Sequence, residues 1–241
     1  MRVIEKIATK SRDIYGAKPV TIAFLGDSVT HGCFECYKTS ETSLETVFER
    51  KSAFSTRVGE MLGILYPNAQ VNIVNSGISG DGTINGNHRL ERDVLSCNPD
   101  LVVVSYGLND SCGGLEAIEG YASALKSIFT RLQEKGIEVI FLTQNYMNTK
   151  TSVHIHDDYF KGLAEMFAGV QNGGILKKYF ERATQVCVEM QVPVCDMYAK
   201  WEQMDKGGVD VTELLSNKFN HPIRELHYYT AIKLLETMFE N

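Results

Sequence analysis

The sequence has little that would direct the chain to nucleic acid, to a membrane or out of the cell. Its 24 lysines and arginines are outnumbered by 30 aspartates and glutamates, for a net charge of −6. They form no basic stripe that would attract a phosphate backbone or an anionic lipid surface. No apolar run has the length of a membrane-spanning helix, and the amino terminus lacks the apolar stretch of a signal peptide. We therefore predict a soluble, cytoplasmic protein, provided that no signal has been removed, with neither nucleic acid nor a membrane as its partner.

The chain also lacks a complete metal-binding pattern. Its six cysteines include one Cys-x-x-Cys pair, Cys33 and Cys36, without the second pair that a zinc site needs. The stretch 154–158 partly resembles the HxHxDH motif of metallo-β-lactamases, but Tyr159 stands where the last histidine should be. We expect no metal and no other cofactor. Metal-dependent hydrolysis stays open as a third alternative, which sensitivity to a chelator would reveal.

What the chain does contain is a regular alternation of strand-like apolar runs and helical patterns. Strands are predicted at 20–26, 71–75, 100–106, 138–143 and 192–196, with a polar loop at 33–43 and helices at about 3–14, 44–66, 84–97, 115–135, 159–190 and 226–240. Such alternation predicts βαβ units, a mostly parallel sheet and helices on both of its faces. No linker or repeat interrupts the 241 residues, so we predict a single α/β domain over 1–241.

Polar, glycine-containing turns follow three of these predicted strands: Gly26-Asp27-Ser28, Ser79-Gly80-Asp81 and Gly107-Leu108-Asn109-Asp110. Functional residues gather at the carboxyl ends of strands in open α/β sheets, so we expect the three turns at one edge. Ser28 is the candidate nucleophile. The backbone N–H groups of Ser28 and Gly80 and the side-chain amide of Asn109 are candidate donors to a developing oxyanion. The base must be one of the six histidines, and two of them, His221 in a loop before the last helix and His227 at its start, lie in the carboxyl-terminal segment.

These blocks resemble the SGNH, or GDSL-like, hydrolase family. The family's members carry a Gly-Asp-Ser block, a Gly block, a Gly-x-Asn-Asp block and a late Asp-x-x-His-Pro block, and this chain matches them in order with Gly26-Asp27-Ser28, Gly80, Gly107-Leu108-Asn109-Asp110 and His221-Pro222. The resemblance implies a serine esterase or acyl hydrolase on a flavodoxin-like, three-layer α/β/α fold with a five-stranded sheet. It also implies that Ser28 attacks the ester carbonyl, that His221 takes its proton, and that Gly80 and Asn109 bind the oxyanion.

The chain departs from the family at one position. The acid that orients the histidine stands three residues before it, and here that residue is Lys218. Lysine has no acceptor for the imidazole Nδ1–H. Either a backbone carbonyl or Asn217 accepts that hydrogen and leaves a Ser–His dyad, or an acid such as Asp196 or Glu225 reaches in from elsewhere.

We expect a small-molecule ester as substrate, with a short acyl group such as acetyl, on a carbohydrate or similar polar molecule. The acyl length rests on the polar loops at 33–43 and 145–158, because a lipase would expose a long apolar segment near its site. A thioesterase or lysophospholipase of the same fold is the alternative within this chemistry. A binding module that kept the fold and lost the acid is the alternative outside it. The sequence does not indicate the oligomeric state.

Overall fold

The computed structural model describes residues 1–41 and 43–240. Thr42, which falls in the predicted loop 33–43, and Asn241 lie outside the described residues. The strands are β1 (Val20–Gly26), β2 (Cys33–Lys38), β3 (Leu44–Phe48), β4 (Val71–Gly77), β5 (Leu101–Ser105), β6 (Glu138–Thr143) and β7 (Val194–Asp196). The α-helices are α1 (Arg2–Arg12), α2 (Ser28–His31), α3 (Phe54–Leu65), α4 (Thr83–Asp93), α5 (Leu108–Ser111), α6 (Ile118–Glu134), α7 (Asp158–Asn172), α8 (Ile175–Met190), α9 (Met197–Lys206) and α10 (Arg224–Glu240).

A five-stranded sheet forms the middle layer, in the order β4-β1-β5-β6-β7. All four strand pairs in it are parallel. Counted within this sheet alone, the order is 2-1-3-4-5, which is the order of flavodoxin-like folds. The predicted fold class, a three-layer α/β/α arrangement around a parallel five-stranded sheet, is confirmed.

Helices cover both faces of the sheet. On one face α10 packs against α3, α1 and β7, and on the other α6 packs against α4 and α8. Because both faces are covered, central strands have no polar side to show to water. β5 is accordingly buried along its whole length. The strand edge at which β1, β4 and β5 end is therefore where polar side chains can emerge from the core.

The predicted loop at 33–43 and the predicted start of a helix at Leu44 are wrong. β2 and β3 form an antiparallel hairpin outside the main sheet, in which Tyr37 pairs with Glu45, and α3 begins only at Phe54. β3 has five residues, which are too few to show the alternation of a strand clearly. Its apolar residues therefore look like the start of the helical pattern that follows. The limits of β1 and β6 agree with the prediction, whereas α9 was not predicted.

A search of the described ranges, 1–41 and 43–240, finds no helix both long and apolar enough to span a membrane.

Candidate active site

Ser28 lies directly after β1, at the start of α2. Gly26, the last residue of β1, is in register with Gly77 of β4 and Ser105 of β5. A side chain at Gly26 would place its Cβ 2.7 Å from the Ser105 carbonyl oxygen, so only glycine allows the strands to close here. Asp27 then begins α2, because its carboxylate accepts from the N–H of Val29 at 3.0 Å. The cap fixes Ser28 at the strand edge, where the side chain is 4% exposed.

The imidazole of His221 joins Ser28 to a backbone carbonyl. His221 Nε2 lies 3.0 Å from Ser28 Oγ, and Nδ1 lies 2.8 Å from the carbonyl oxygen of Phe34. A carbonyl can only accept a hydrogen bond, so Nδ1 carries the hydrogen and Nε2 presents its lone pair to the serine hydroxyl. This tautomer is the one that a base needs in order to take the serine proton.

The loop that carries His221 is held by Asn217. The Asn217 side-chain oxygen accepts from the backbone N–H groups of Phe219, Asn220 and His221, each at 3.0 Å. Asn145 holds the loop from the sheet side, since its amide donates to the Asn220 carbonyl at 2.8 Å. The backbone from Phe219 to His221 is thus held in place, which fixes the point from which the imidazole extends.

The structure distinguishes the four groups that could have replaced the missing acid. The Phe34 carbonyl accepts the Nδ1–H, whereas Asn217 is used as the cap of its own loop. Asp196 instead caps α9, accepting from Ala199 N at 3.0 Å, and Glu225 is exposed on α10. Lys218, at the position of the family's acid, has a left-handed φ of 61°, and its ammonium pairs with Glu213 Oε2 at 2.9 Å.

Burial determines the protonation of His221. Desolvation lowers the pKa of His221 to about 4, and the hydrogen bond to Phe34 and the charge of Glu35 oppose that effect only in part. A neutral imidazole at pH 7 can act as a base without first losing a proton.

Gly80 and Asn109 lie at the same strand edge. Gly80 has a φ of +76° in the turn after β4, which favours glycine, and the N–H of Ile78 in this turn donates to the Gly26 carbonyl at 3.1 Å. The Asn109 amide donates one hydrogen to the Asp81 carbonyl at 2.8 Å. An amide nitrogen has two hydrogens, so Asn109 keeps one free for another acceptor.

A buried arginine connects the ends of three neighbouring strands, β4, β1 and β5. Arg89 donates to the Gly26 carbonyl at 3.0 Å and to the Ser76 carbonyl at 2.6 Å. It also pairs with Asp81 at 2.7 Å, and the Tyr106 hydroxyl donates to the same Asp81 oxygen at 2.9 Å. These contacts connect the Gly-Asp-Ser turn with the turn that holds Gly80. No sequence pattern indicates this role, because Arg89 resembles any other arginine of an amphipathic helix.

A second connection runs through Asp27 and Gln144. The Gln144 amide donates to Asp27 Oδ2 at 2.8 Å, and its oxygen accepts from the N–H of Leu108 at 3.0 Å. Burial raises the pKa of Asp27 to about 7, although Gln144 and the N–H of Val29 favour the charged form. Asp110 links the other two turns, since it accepts from Thr83 N at 2.9 Å. Asp27 therefore caps α2, and Asp110 accepts from the first N–H group of α4.

Among the described residues, the side chains of His227, His31 and His154 form no hydrogen bond with the Ser28 hydroxyl. His227 is buried, its Nδ1 accepts from Phe54 N at 3.0 Å, and burial lowers its pKa to about 3. The ring of His31 packs against that of Phe48, with centroids 4.7 Å apart and ring planes tilted by 56°. His154 lies on the surface, 3.8 Å from Glu213. In the part of the chain that the structure describes, no group of three or more His, Cys, Asp or Glu side chains could hold a metal ion.

The main residue that sequence reasoning missed is Phe34. It contributes a backbone atom, which no side-chain pattern identifies. The hairpin itself could have been found, because Cys33-Phe34-Glu35-Cys36-Tyr37-Lys38 and Leu44-Glu45-Thr46-Val47-Phe48 each resemble short strands flanking a polar turn.

The chain is similar to known proteins both in sequence and in fold. The sequence model of the GDSL-like lipase/acylhydrolase family matches residues 24–227, which is most of the chain. The chain belongs to this family. The match begins within β1 and ends at His227, so it includes the three polar turns and the loop that carries His221. Membership confirms the predicted class, a GDSL-type acylhydrolase, while the catalytic roles of Ser28, Gly80, Asn109 and His221 stay predictions.

Relatives of this GDSL-like chain include carbohydrate esterases. An acetylxylan esterase of Geobacillus stearothermophilus is 32% identical over 89 residues, which is 37% of this chain and 39% of that protein. A solved catalytic mutant of an acetylxylan esterase from the same organism has a TM-score of 0.66 at 19% identity, covering 91% of this chain and 94% of that one. A two-domain esterase active on acetylated mannans has a TM-score of 0.67 at 16% identity.

The extent of these matches limits what they show. This GDSL-like chain aligns with less than half of the curated relative, and it covers 52% of the two-domain esterase while matching 99% of its own length. At identities of 16% and 19% the structural likeness shows the fold.

Proposed function

We propose that this chain is a serine esterase that removes short acyl groups, above all acetyl, from a carbohydrate or another small polar ester. Ser28 is the nucleophile and His221 is the general base. The backbone N–H groups of Ser28 and Gly80 and the amide of Asn109 bind the oxyanion. The observation that carries the proposal is the line of contacts from Ser28 Oγ through the His221 ring to the Phe34 carbonyl, at 3.0 and 2.8 Å.

The reaction follows from this arrangement. Ser28 Oγ attacks the ester carbonyl carbon while His221 Nε2 takes the hydroxyl proton, and the carbonyl oxygen becomes an oxyanion. His221 then gives the proton to the departing alcohol oxygen, leaving an acyl-Ser28 ester. A water molecule, deprotonated by His221, hydrolyses this ester in the same way. The Phe34 carbonyl accepts the Nδ1–H throughout and stabilises the imidazolium as a dipole rather than as a full charge.

The acetyl group of the proposal is supported by two relatives, an acetylxylan esterase and an esterase active on acetylated mannans. The carbohydrate part of the proposal is supported by the relatives active on acetylated xylan and mannan.

Labelling with a fluorophosphonate probe tests the chemistry. The unaltered protein is expected to be modified and Ser28→Ala is not, and Ser28→Ala should lose about four powers of ten or more in turnover. A wild-type protein that stays unlabelled and inert toward acetyl, butyryl and octanoyl esters would favour the binding-module alternative. Modification at another residue would also contradict the proposal.

A panel of p-nitrophenyl esters and acetylated xylo- and manno-oligosaccharides tests the substrate. We expect kcat/KM to fall from acetate to octanoate. A preference for octanoate, for a thioester or for a lysophospholipid would contradict the short-ester proposal while leaving the Ser28 mechanism intact. Full activity in the presence of a chelator is expected, whereas loss of activity that zinc restores would favour the metal-dependent alternative.

A further inference from the structure

The hairpin of β2 and β3 brings the Phe34 carbonyl to His221. The register of the hairpin explains why this carbonyl is not used in the backbone hydrogen bonds between the two strands. Cys33 pairs with Phe48, but Cys36 pairs with Thr46, so β2 has one residue more than β3 between these two pairs. Such a bulge interrupts the ladder of backbone hydrogen bonds and turns groups away from it. Phe34 and Glu35 lie in the bulge. The Phe34 carbonyl can therefore bind a partner outside the hairpin.

Arg224 forms ion pairs with residues at both strands of the hairpin. Its guanidinium donates to the two carboxylate oxygens of Glu35 at 2.6 and 3.0 Å, and its Nε donates to Glu49 Oε2 at 2.7 Å. Glu35 belongs to β2, and Glu49 follows β3 directly. Ser52 holds Glu49 from the other side. The planar guanidinium, with its several N–H donors, fixes the direction of the carboxylates as well as their distance. A lysine ammonium fixes no such direction.

The same arginine also contacts Phe34 itself. The guanidinium carbon of Arg224 lies 4.3 Å from the centre of the Phe34 ring, and the ring of His227 lies 5.0 Å from it. Phe34 is fully buried. Since His221, Arg224 and His227 all belong to one short segment, this segment holds the Phe34 ring with two residues and its carbonyl with the third.

We propose that Arg224, paired with Glu35 and Glu49, is a positioning residue that holds the Phe34 carbonyl against His221 Nδ1. The carbonyl then takes the place of the family's acid, whose position in the sequence is occupied by Lys218. The proposal rests on the proposed function, because it needs His221 as the base. The cluster contains two carboxylates and one guanidinium, so its net charge is −1, the sign that the missing acid would have had. Glu35 is the carboxylate whose charge favours protonated His221.

Few other charged groups act on this cluster. His227, on α10, is neutral because burial lowers its pKa to about 3. Lys51 acts on Glu49, which is held mainly by Ser52 and Arg224. Asp27 precedes Ser28 in the chain, and burial raises its pKa to about 7. Arg224→Lys therefore alters the position while keeping the charge, whereas Glu35→Gln removes a charge together with part of the contact to Arg224.

Arg224→Lys tests the position, because it keeps the charge and loses the fork. We expect kcat on an acetyl ester to fall about tenfold to a hundredfold, as for a catalytic group displaced by up to an ångström. KM and the acid limb of the pH profile should stay unchanged. Glu35→Gln tests the charge and should move the acid limb about half a unit to lower pH, since a screened negative charge is removed.

Arg182→Lys is the matched control. Arg182 makes a comparable two-pronged pair with Glu119, at 2.9 and 3.0 Å, between α8 and α6. This variant should keep its kcat, and thermal unfolding of all variants separates lost folding from lost positioning. Full kcat in Arg224→Lys, or an acid limb that does not move in Glu35→Gln, would overturn the proposal. Activity that survives Ser28→Ala would instead overturn the proposed function on which it rests.

Discussion

The pH dependence of the reaction gives the sharpest test of the buried histidine. Burial lowers the pKa of His221 to about 4, whereas an ordinary histidine has a pKa of about 6.5. The base must be neutral to act, so activity is present above the folded-state pKa and is lost as the pH falls through it. At pH 5.5 a group with a pKa of 4 is about 97% neutral, and one with a pKa of 6.5 is about 9% neutral.

We therefore expect kcat/KM at pH 5.5 to be nearly equal to that at pH 8. An unshifted histidine would reduce it about tenfold. The assay is the initial rate of acetate release between pH 4 and 9, with circular dichroism at each pH to show that the protein stays folded. Acetate is measured directly, because the nitrophenol chromophore titrates in this range.

Asp27, next to Ser28 in the chain, could produce a limb at higher pH, since burial raises its pKa to about 7. Asp27→Ser shows whether such a limb comes from Asp27 or from His221, because serine also caps a helix but has no carboxyl group. A limb near pH 7 that disappears in Asp27→Ser would belong to Asp27. A limb near pH 6.5 that persists in Asp27→Ser would refute the argument that burial lowers the pKa of His221.

Three substitutions test other parts of the site. Asn109→Ala should lower kcat by roughly two to three powers of ten with little change in KM, because one oxyanion donor is lost; an unchanged kcat on an acetyl ester would exclude that role. Lys218→Asp restores the family's spacing but should not raise kcat, since Phe34 already occupies His221 Nδ1, and it should cost about 0.2–1 kcal/mol in urea unfolding through the lost pair with Glu213. A gain in kcat would show that the new acid displaces the carbonyl. His227→Gln should keep most of the activity and lower the free energy of unfolding by about 1–3 kcal/mol, because a buried hydrogen bond is weakened. A folded variant with almost no activity would show that His227, and not His221, is the base.

The fold was largely predictable because its signals are local. Buried parallel strands are continuous apolar runs, and β1 and β6 end where those runs end. The hairpin was not predicted, because its strands are short and half exposed. α9 was missed because it begins directly after β7, where Asp196 acts as its cap.

The sequence by itself determined the sheet, the strand edge and the residues that meet there. Gly26, Gly80 and Asn109 belong to turns at strand ends, and parallel strands bring those ends together whatever the rest of the chain does. Only the tertiary structure decided what His221 contacts on its far side. The acceptor is a backbone carbonyl, 187 residues away in the chain from the histidine. Every residue has such a carbonyl, so only the bulge in β2 and the docking of the hairpin on α10 could single out Phe34.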